Sequence, residues 1–234
     1  MTDNSFKINM ISIILLLSLN LSNTGTPYAR TDSLSKTTSL HIKDTSVYPN
    51  LRFNENWLNL IDSSDLRCIN NSIGKINEIN RALQLDVYSA NNNILEENDI
   101  DTVKISQISE LVNCIKHPIN KNELTGYNKV KSIQCNTMGP GIAEYGFFPC
   151  RFYFRNNKIF FQKIGGSQRK SGYLYRKDDF SYVFLGAWSV NENPTTEYGG
   201  EYSTAGIMYK VAPDTLVIIF IGDSEYEIYF ISRR

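Results

Sequence analysis

The segment "TLVIIFI" at residues 215–221 is apolar at every position but the first, and "EYEIYFIS" follows it at residues 225–232. Both are rich in the Ile, Tyr and Phe typical of β-strands. A short apolar run without alternation indicates a strand that is covered on both faces. Another element must therefore cover its outer side. In the strand that follows, we expect Tyr226, Ile228 and Phe230 to face inward. Glu225 and Glu227 are expected to face outward.

Six earlier segments have the same strand character, and turn residues such as the pairs Asn156-Asn157 and Asp178-Asp179 separate many of them. Many short strands with tight links predict an antiparallel meander. About eight such strands can close into a small barrel, which removes exposed sheet edges. The segments are YNKVKSIQCN (127–136), YGFFPCRFYFR (145–155), KIFFQKI (158–164), SGYLYRK (171–177), FSYVFLGAWSV (180–190) and STAGIMYKVA (203–212).

The first half of the chain has helical periodicity instead. Apolar residues recur at spacings of three and four within residues 61–83, and a second apolar stripe lies near residues 103–116. Pro118 follows the second stripe and disfavours helix in the residue before it. We expect these two helices to cover the outer face of residues 215–221. The fold class is therefore predicted to be α+β, with N-terminal helices packed on a barrel-like sheet.

The N-terminus predicts export. Lys7 precedes an apolar run from Met10 to Leu21, which is too short to span a bilayer comfortably and is followed by small polar residues. We predict a signal peptide over residues 1–25, a periplasmic or secreted protein, and no membrane span after cleavage. A weak membrane anchor is the alternative interpretation.

The remaining chain divides by composition. Residues 26–50 are rich in Ser, Thr and Asp and are predicted to be a flexible lead-in. Residues 51–120 form the predicted helical part, and residues 121–234 form the predicted antiparallel barrel-like domain.

Charge and histidine content narrow the function classes. The 24 basic and 24 acidic residues balance, which argues against a nucleic-acid partner. His41 and His117 are the only histidines, and no cysteine pair has the CxxC spacing of a zinc site. We therefore predict neither a metal site nor a cofactor.

The four cysteines are Cys68, Cys114, Cys135 and Cys150. In an exported protein they predict two disulfides, for which three pairings are possible. We favour Cys135–Cys150 and Cys68–Cys114, because each pair would lie within one structural half. The alternative for Cys68 and Cys114 is a pair of buried thiols.

The segment "KIGGSQRKSGYLYR" at residues 163–176 is the main candidate for a site. Gly165 and Gly166 permit positive φ angles, so backbone amides can converge on an anion, and Arg169 and Lys170 add positive charge. This pattern predicts a polar clamp for a small polar or anionic ligand. The alternative is a structural corner in which Arg169 pairs with an internal carboxylate. The candidate ligand-binding residues are Arg151, Ser167, Gln168, Arg169 and Trp188.

Catalysis has weaker support in the sequence. A nucleophilic Ser167 needs a base, but His41 lies in the lead-in and His117 lies at a helix end. No catalytic residue is assigned. The enzyme hypothesis that remains is a hydrolase that uses the loop of residues 165–170 as an anion site, with Arg151 and Arg169 as electrostatic stabilisers.

Several motifs resemble the bacterial domain-of-unknown-function family 4893. They are Cys135, the pair Cys150-Arg151, "GSQRKSGYLY" at residues 166–175 and "FLG" at residues 184–186. Trp57, Asp65 and Arg67 look like the family's start. The resemblance implies an exported protein in which the two central cysteines belong together. The family has no established activity, so the resemblance implies no function.

The leading hypothesis is an exported, non-enzymatic binding or envelope-associated module. It would act through a ligand site at the barrel mouth or through a protein partner. Besides the hydrolase, a second alternative is an inhibitor that presents the loop of residues 191–201 to a secreted enzyme.

Overall fold

The computed structural model describes residues 56–90, 98–138, 141–191 and 197–233. The predicted signal peptide and lead-in lie outside these residues. In the described part, three α-helices precede the sheet: α1 Ser63–Asn70, α2 Ser72–Ala90 and α3 Asn98–Asn113. Short 3₁₀ helices at Trp57–Asn59 and Lys121–Gly126 flank them.

Residues 61–83 were predicted as one helix, but the helix is interrupted at Asn71, between α1 and α2. Asparagine is favoured at helix N-termini because its side chain competes for backbone amides. The Asn71 side chain folds over Gly74, where an added Cβ would lie 2.4 Å from Asn71 Oδ1. Gly74 therefore makes room for the side chain that separates the two helices.

The strands follow in one sheet. Each pairs antiparallel with its neighbour, and their bounds agree closely with the predicted segments. They are β1 Tyr127–Asn136, β2 Gly141–Glu144, β3 Phe148–Arg155, β4 Lys158–Lys163, β5 Gln168–Arg176, β6 Ser181–Val190, β7 Ser203–Ala212, β8 Thr215–Ile221 and β9 Glu225–Arg233.

Strand β1 closes the sheet into a barrel. One edge of β1 pairs with β9 along its whole length. The other edge pairs with β2 at residues 133–136 and with β3 at Lys129 and Val130. β2 and β3 run in the same direction along this edge of β1, one after the other. Together they therefore count as one strand of the wall, which is interrupted at residues 145–147. The wall therefore has eight places, which confirms the predicted barrel; β2 is the strand that the sequence did not reveal.

The barrel wall separates two apolar cores. The inner core lies within the barrel and includes Leu216, Ile218 and Phe220 of β8. The outer core lies between the barrel and the helices and includes Val217 and Ile219 of β8. The helices therefore cover the outer face of β8, as its uniformly apolar sequence predicted.

The orientation predicted for β9 is wrong. Tyr226 and Ile228 face the helices, and the Tyr226 hydroxyl donates to Asn80 Oδ1 of α2 at 2.6 Å. Glu227 instead joins Tyr229 on the inner face. Both faces of β9 are covered, so alternation of polarity does not distinguish inside from outside here.

Two glycines allow a close approach between the paired backbones of β5 and β6. Gly172 pairs directly with Gly186, and a Cβ on Gly186 would lie 2.1 Å from the carbonyl oxygen of Ser171. Glycine at both positions lets the two backbones approach, because neither carries a Cβ that would collide with the other strand.

All four cysteines are thiols, so the expected pairs do not form. Cys135 lies in the outer core and Cys150 lies in the inner core, on opposite faces of the barrel wall. A disulfide needs Cβ atoms about 4 Å apart, which side chains on opposite faces of a sheet do not reach. Cys68 and Cys114 are half-buried beside the outer core and are not joined either.

We expect the four thiols to react in two classes. Cys68 and Cys114 are half-buried, whereas Cys135 is fully buried and burial raises the pKa of the Cys150 thiol to about 12. Because the thiolate is the reactive form, two thiols should react with Ellman's reagent in the native protein. The other two should react only after unfolding in guanidinium without reductant. Fewer than four reactive thiols in the unfolded protein would contradict this structure.

Candidate functional site

A cavity of about 500 Å³ opens at the end of the barrel where β1, β6 and β8 end and β5, β7 and β9 begin. We call this end the mouth. Residues from all six of these strands line it, together with Gly141 and Ala143 of β2. The polar lining residues include Gln134, Asn136, Gln168, Arg169, Lys170 and Glu227.

Glu227 and Lys170 form an ion pair inside the mouth. Glu227 is buried, and its Oε1 also accepts hydrogen bonds from the Ser132 hydroxyl and, at 3.1 Å, from Gln134 Nε2. The carboxylate thus joins β9 to β1 and β5. Because both oxygens have partners, the charge is well compensated although it lies in the protein interior.

Burial alone would raise the pKa of the Glu227 carboxyl. The Lys170 ammonium and the hydrogen bonds from Ser132 and Gln134 outweigh burial, so the net pKa is below its usual range. Glu227 is therefore an ionised acceptor at neutral pH.

Lys163, the last residue of β4, lies beside this pair and is only 5% exposed. Its ammonium lies 4.9 Å from the centre of the Phe148 ring and 5.1 Å from that of Tyr229. Within the described part of the chain, no carboxylate lies within 4.0 Å of it. Burial lowers its pKa, Glu227 raises it and Lys170 lowers it further, with a net decrease.

The Tyr229 ring lies between the two lysines. Lys170 Nζ lies 5.4 Å from the centre of the Tyr229 ring and 4.7 Å from the centre of the Phe220 ring. Aromatic faces attract cations, so these rings partly replace the water that both ammonium groups lose. We call Lys163, Lys170 and Glu227 the inner charge cluster.

The glycine loop that the sequence singled out is the connection between β4 and β5. Gly166 has φ +85°, and an added Cβ on Gly165 would lie 2.8 Å from Pro149 Cδ. The amides of Ile164 and Gly165 donate to the Pro149 carbonyl at 2.8 and 3.4 Å. The glycines therefore let the loop pack on β3, and these two amides are directed to the protein itself.

Three of the five predicted ligand-binding residues line the mouth cavity: Gln168, Arg169 and Trp188. Gln168 Oε1 accepts from Gln134 Nε2 at 3.1 Å, and Trp188 packs edge-on against Tyr202 at 5.1 Å. Arg169 Nε is shielded from solvent without a hydrogen-bond acceptor in the described structure. No carboxylate of the described residues forms the internal ion pair with Arg169 that the alternative interpretation expected.

The other two predicted residues lie elsewhere. Arg151 donates to Gln162 Oε1 at 3.0 and 2.7 Å on the outer face of the wall, and it does not line the mouth cavity. Ser167 is exposed, and its carbonyl accepts from the Asn191 amide. His117 bridges to Lys210, near the opposite end of β7. Within the described residues, Arg151 and Arg169 do not come together and His117 lies far from Ser167; His41 lies outside the described residues.

Sequence reasoning missed the inner charge cluster. Strand alternation could have placed Lys163 on the inner face, because Ile159 and Phe161 precede it at intervals of two and face the inner core. Glu227 was assigned to the wrong face. No pattern in the sequence pairs a residue of β5 with one of β9.

The chain matches the family model "Domain of unknown function (DUF4893)" over residues 80–227. The chain belongs to this family. The matched residues include the inner charge cluster, whereas Trp57, Asp65 and Arg67 precede the match. No curated protein matches this chain.

Among solved structures, a redesigned β-barrel is similar at 9% identity. The match covers 50% of this chain and 99% of that chain, with a TM-score of 0.33. In the described residues, no helix combines the length and the apolar character needed to cross a bilayer.

We predict that Glu227→Gln lowers the free energy of unfolding by about 3 kcal/mol at pH 7, because Lys170 loses a partner while buried. A depressed carboxyl pKa contributes stability above about pH 4.3, and this contribution is lost as pH falls through the folded-state pKa. The difference from wild type should therefore shrink at pH 3, as measured by urea unfolding. Glu201→Gln, at an exposed position, is the control. A difference of equal size at both pH values would contradict the assignment.

Proposed function

We propose that the chain is a non-catalytic binding module whose barrel mouth binds a small organic anion. One observation carries this proposal: Lys163 is almost fully buried next to Lys170 and Glu227, which line an open polar cavity, and no carboxylate of the described residues lies within 4.0 Å of its ammonium. Glu227 is already paired with Lys170. The inner charge cluster therefore holds one more positive than negative charge.

A buried cation without an acceptor costs folding free energy, and the usual compensation is an anion that also accepts hydrogen bonds. Ordinary selection for stability would place an apolar residue at this position. A bound carboxylate would supply the missing charge, and the Gln168 amide nitrogen and Lys170 offer donors beside it. These groups support an oxyanion as the ligand.

The size and lining of the cavity support a small organic molecule. A volume of about 500 Å³ lies within the range of small-molecule pockets. Trp188 and Tyr145 give its wall aromatic surface beside the polar groups. Such a lining suits a ligand with a short carbon skeleton and one or two carboxylates.

The alternatives gain no specific support from the described residues. The hydrolase hypothesis needed Arg151 and Arg169 in one cleft, but Arg169 lines the mouth cavity and Arg151 does not. For the inhibitor hypothesis, Tyr198 binds α1 through the Asp65 carboxylate at 2.6 Å and the Asp62 amide at 3.0 Å. The described part of that loop is therefore held against the protein.

The expected ligand is tested by titrating the protein with malonate, succinate, glutarate and inorganic phosphate, followed by NMR and calorimetry. We predict that a dicarboxylate binds and that Lys163→Met weakens binding about tenfold or more, the value of a charge-assisted hydrogen bond. The same substitution should raise the free energy of unfolding at pH 7, because it removes a desolvated charge.

Lys177→Met, at an exposed position in the β5–β6 connection, is the matched control and should change neither property. Equal binding by wild type and Lys163→Met would refute the site, and stability that falls in Lys163→Met would refute the argument from burial. Preference for phosphate over every dicarboxylate would change the ligand class.

We further propose that the module acts outside the cytoplasm, supported by Lys7 and the apolar run that ends at Leu21. Expression of the full chain followed by fractionation should give a shortened protein in the exported fraction, with a new N-terminus between Ser22 and Ala29. A cytoplasmic protein that retains Met1 would contradict export.

A further inference from the structure

A second cavity, of about 730 Å³, opens on the outer face of the barrel wall. Its floor crosses three strands, with Phe160 of β4, Tyr173 of β5 and Leu185 of β6 in one cross-strand row. Phe161 and Leu174, which follow the first two in the chain, face the inner core instead. The barrel wall therefore separates this cavity from the inner charge cluster. We call it the outer cavity.

The borders of the outer cavity are held in place. The turn between β3 and β4 contributes Asn156, the first 3₁₀ helix contributes Asn59, and the end of the β6–β7 connection contributes Tyr198. Asn156 has φ +52°, as is typical of a tight hairpin turn. The Tyr198 hydroxyl donates to the Asp65 carboxylate of α1. Because these groups are already ordered, a ligand would immobilise few of them on binding.

Ser171 lies on the floor of the outer cavity, one cross-strand row closer to the mouth than Tyr173. It is only 3% exposed, and its hydroxyl has no hydrogen-bond partner among the described residues. Buried hydroxyl groups nearly always have a partner, because losing water without a replacement hydrogen bond costs free energy. Rotation about the Cα–Cβ bond can direct the hydroxyl toward a molecule in the cavity. The hydroxyl therefore indicates a missing hydrogen-bond partner at the floor.

Three aromatic side chains lie on the same floor. Phe160 and Tyr173 pack edge-on with their ring centres 4.9 Å apart, and Tyr175 is two residues further along β5. The Arg155 guanidinium lies 5.4 Å from the centre of the Phe160 ring, and the Lys158 ammonium lies 5.6 Å from that of Tyr173. The floor thus combines flat apolar surface with hydrogen-bond donors at its border.

The other polar groups of the lining include three side-chain amides, those of Asn56, Asn59 and Asn156. An amide side chain both donates and accepts hydrogen bonds, and so does the Ser171 hydroxyl. Sugar hydroxyl groups also do both, and the C–H groups of a sugar ring form an apolar face. Aromatic surface beside amide and hydroxyl groups therefore matches the two kinds of surface that a sugar ring presents.

We propose that the outer cavity is a second ligand site, which binds a saccharide of one or two rings. The C–H face of the sugar would pack on Tyr173 and Tyr175, and its hydroxyl groups would bond Ser171 and the amide of Asn156. The volume of about 730 Å³ lies within the range of small-molecule pockets. No residue of the inner charge cluster lines the outer cavity, so this proposal does not depend on the anion site.

The site is tested by titrating the protein with cellobiose, N,N′-diacetylchitobiose and digalacturonate, followed by amide NMR. We expect at least one disaccharide to bind and to shift the amide signals of Ser171 and Tyr173. Ser171→Ala should weaken its binding about fivefold, the value of one neutral hydrogen bond. The same substitution should raise the midpoint of urea unfolding of the free protein, because it removes a buried hydroxyl that has no partner.

Ser181→Ala is the matched control for the hydroxyl. Ser181 is 1% exposed and its hydroxyl also has no partner among the described residues, but it does not line the outer cavity. Ser181→Ala should therefore raise the unfolding midpoint as well, and it should leave saccharide binding unchanged.

Asn156→Gly and Asn157→Gly form a second matched pair. Both positions have positive φ, +52° and +61°, which glycine adopts freely, so the turn should persist in both variants. Only Asn156 lines the outer cavity. Asn156→Gly should weaken saccharide binding about fivefold, whereas Asn157→Gly should not change it.

The outcomes separate this proposal from the anion site. If none of the three disaccharides binds, or if Ser171→Ala and Asn156→Gly bind as wild type does, the saccharide site is wrong. A lower unfolding midpoint in Ser171→Ala would refute the argument from the buried hydroxyl. Ser171→Ala should still bind glutarate, and Lys163→Met should still bind the disaccharide. Loss of saccharide binding in Lys163→Met would place the sugar in the mouth and contradict the outer cavity.

Discussion

The ion pair between Glu227 and Lys170 is the interaction on which the mouth of this barrel depends. Glu227 lies on the closing strand β9, receives hydrogen bonds from Ser132 and Gln134 of β1, and pairs with Lys170 of β5. One carboxylate thereby joins three places of the wall on the side where β4 is short. Without this carboxylate, two lysines would face each other in a desolvated interior, and their repulsion would oppose closure.

Further from the mouth than the pair of Glu227 and Lys170, the barrel is filled by an ordinary apolar core. Its aromatic rings, such as those of Phe161, Phe184 and Tyr229, pack at tilted or edge-on angles. Above it the lining is polar and open to solvent. This change from apolar to polar lining explains why Lys163 is unusual. It lies at the boundary, where burial is almost complete but polar neighbours are still close. Proteins retain destabilising residues of this kind mainly where function requires them.

Much of the fold was predictable because its rules are local. The strands carry β-branched and aromatic residues between turn residues, and the helices carry a stripe of period 3.6. The uniformly apolar β8 indicated cover on both faces, and the helices supply it. The interruption at Asn71 was missed because the apolar stripe continues across it from Ile69 to Ile73 at helical spacing. Strand β2 was missed because "GIAE" is too short for alternation to be recognised.

For the site, too, the sequence determined some features and the tertiary structure determined the others. The sequence alone identified family 4893 and the loop of residues 163–176, because family motifs and glycine-rich turns are contiguous in the chain. Only the tertiary structure decided what the loop does: its glycines pack on Pro149, and the lysines at its two sides face Glu227, which is 57 residues further along than Lys170. It also decided that Cys135 and Cys150 face opposite sides of the wall. Which residues meet across a closed barrel depends on strand order and register, and no local pattern encodes these.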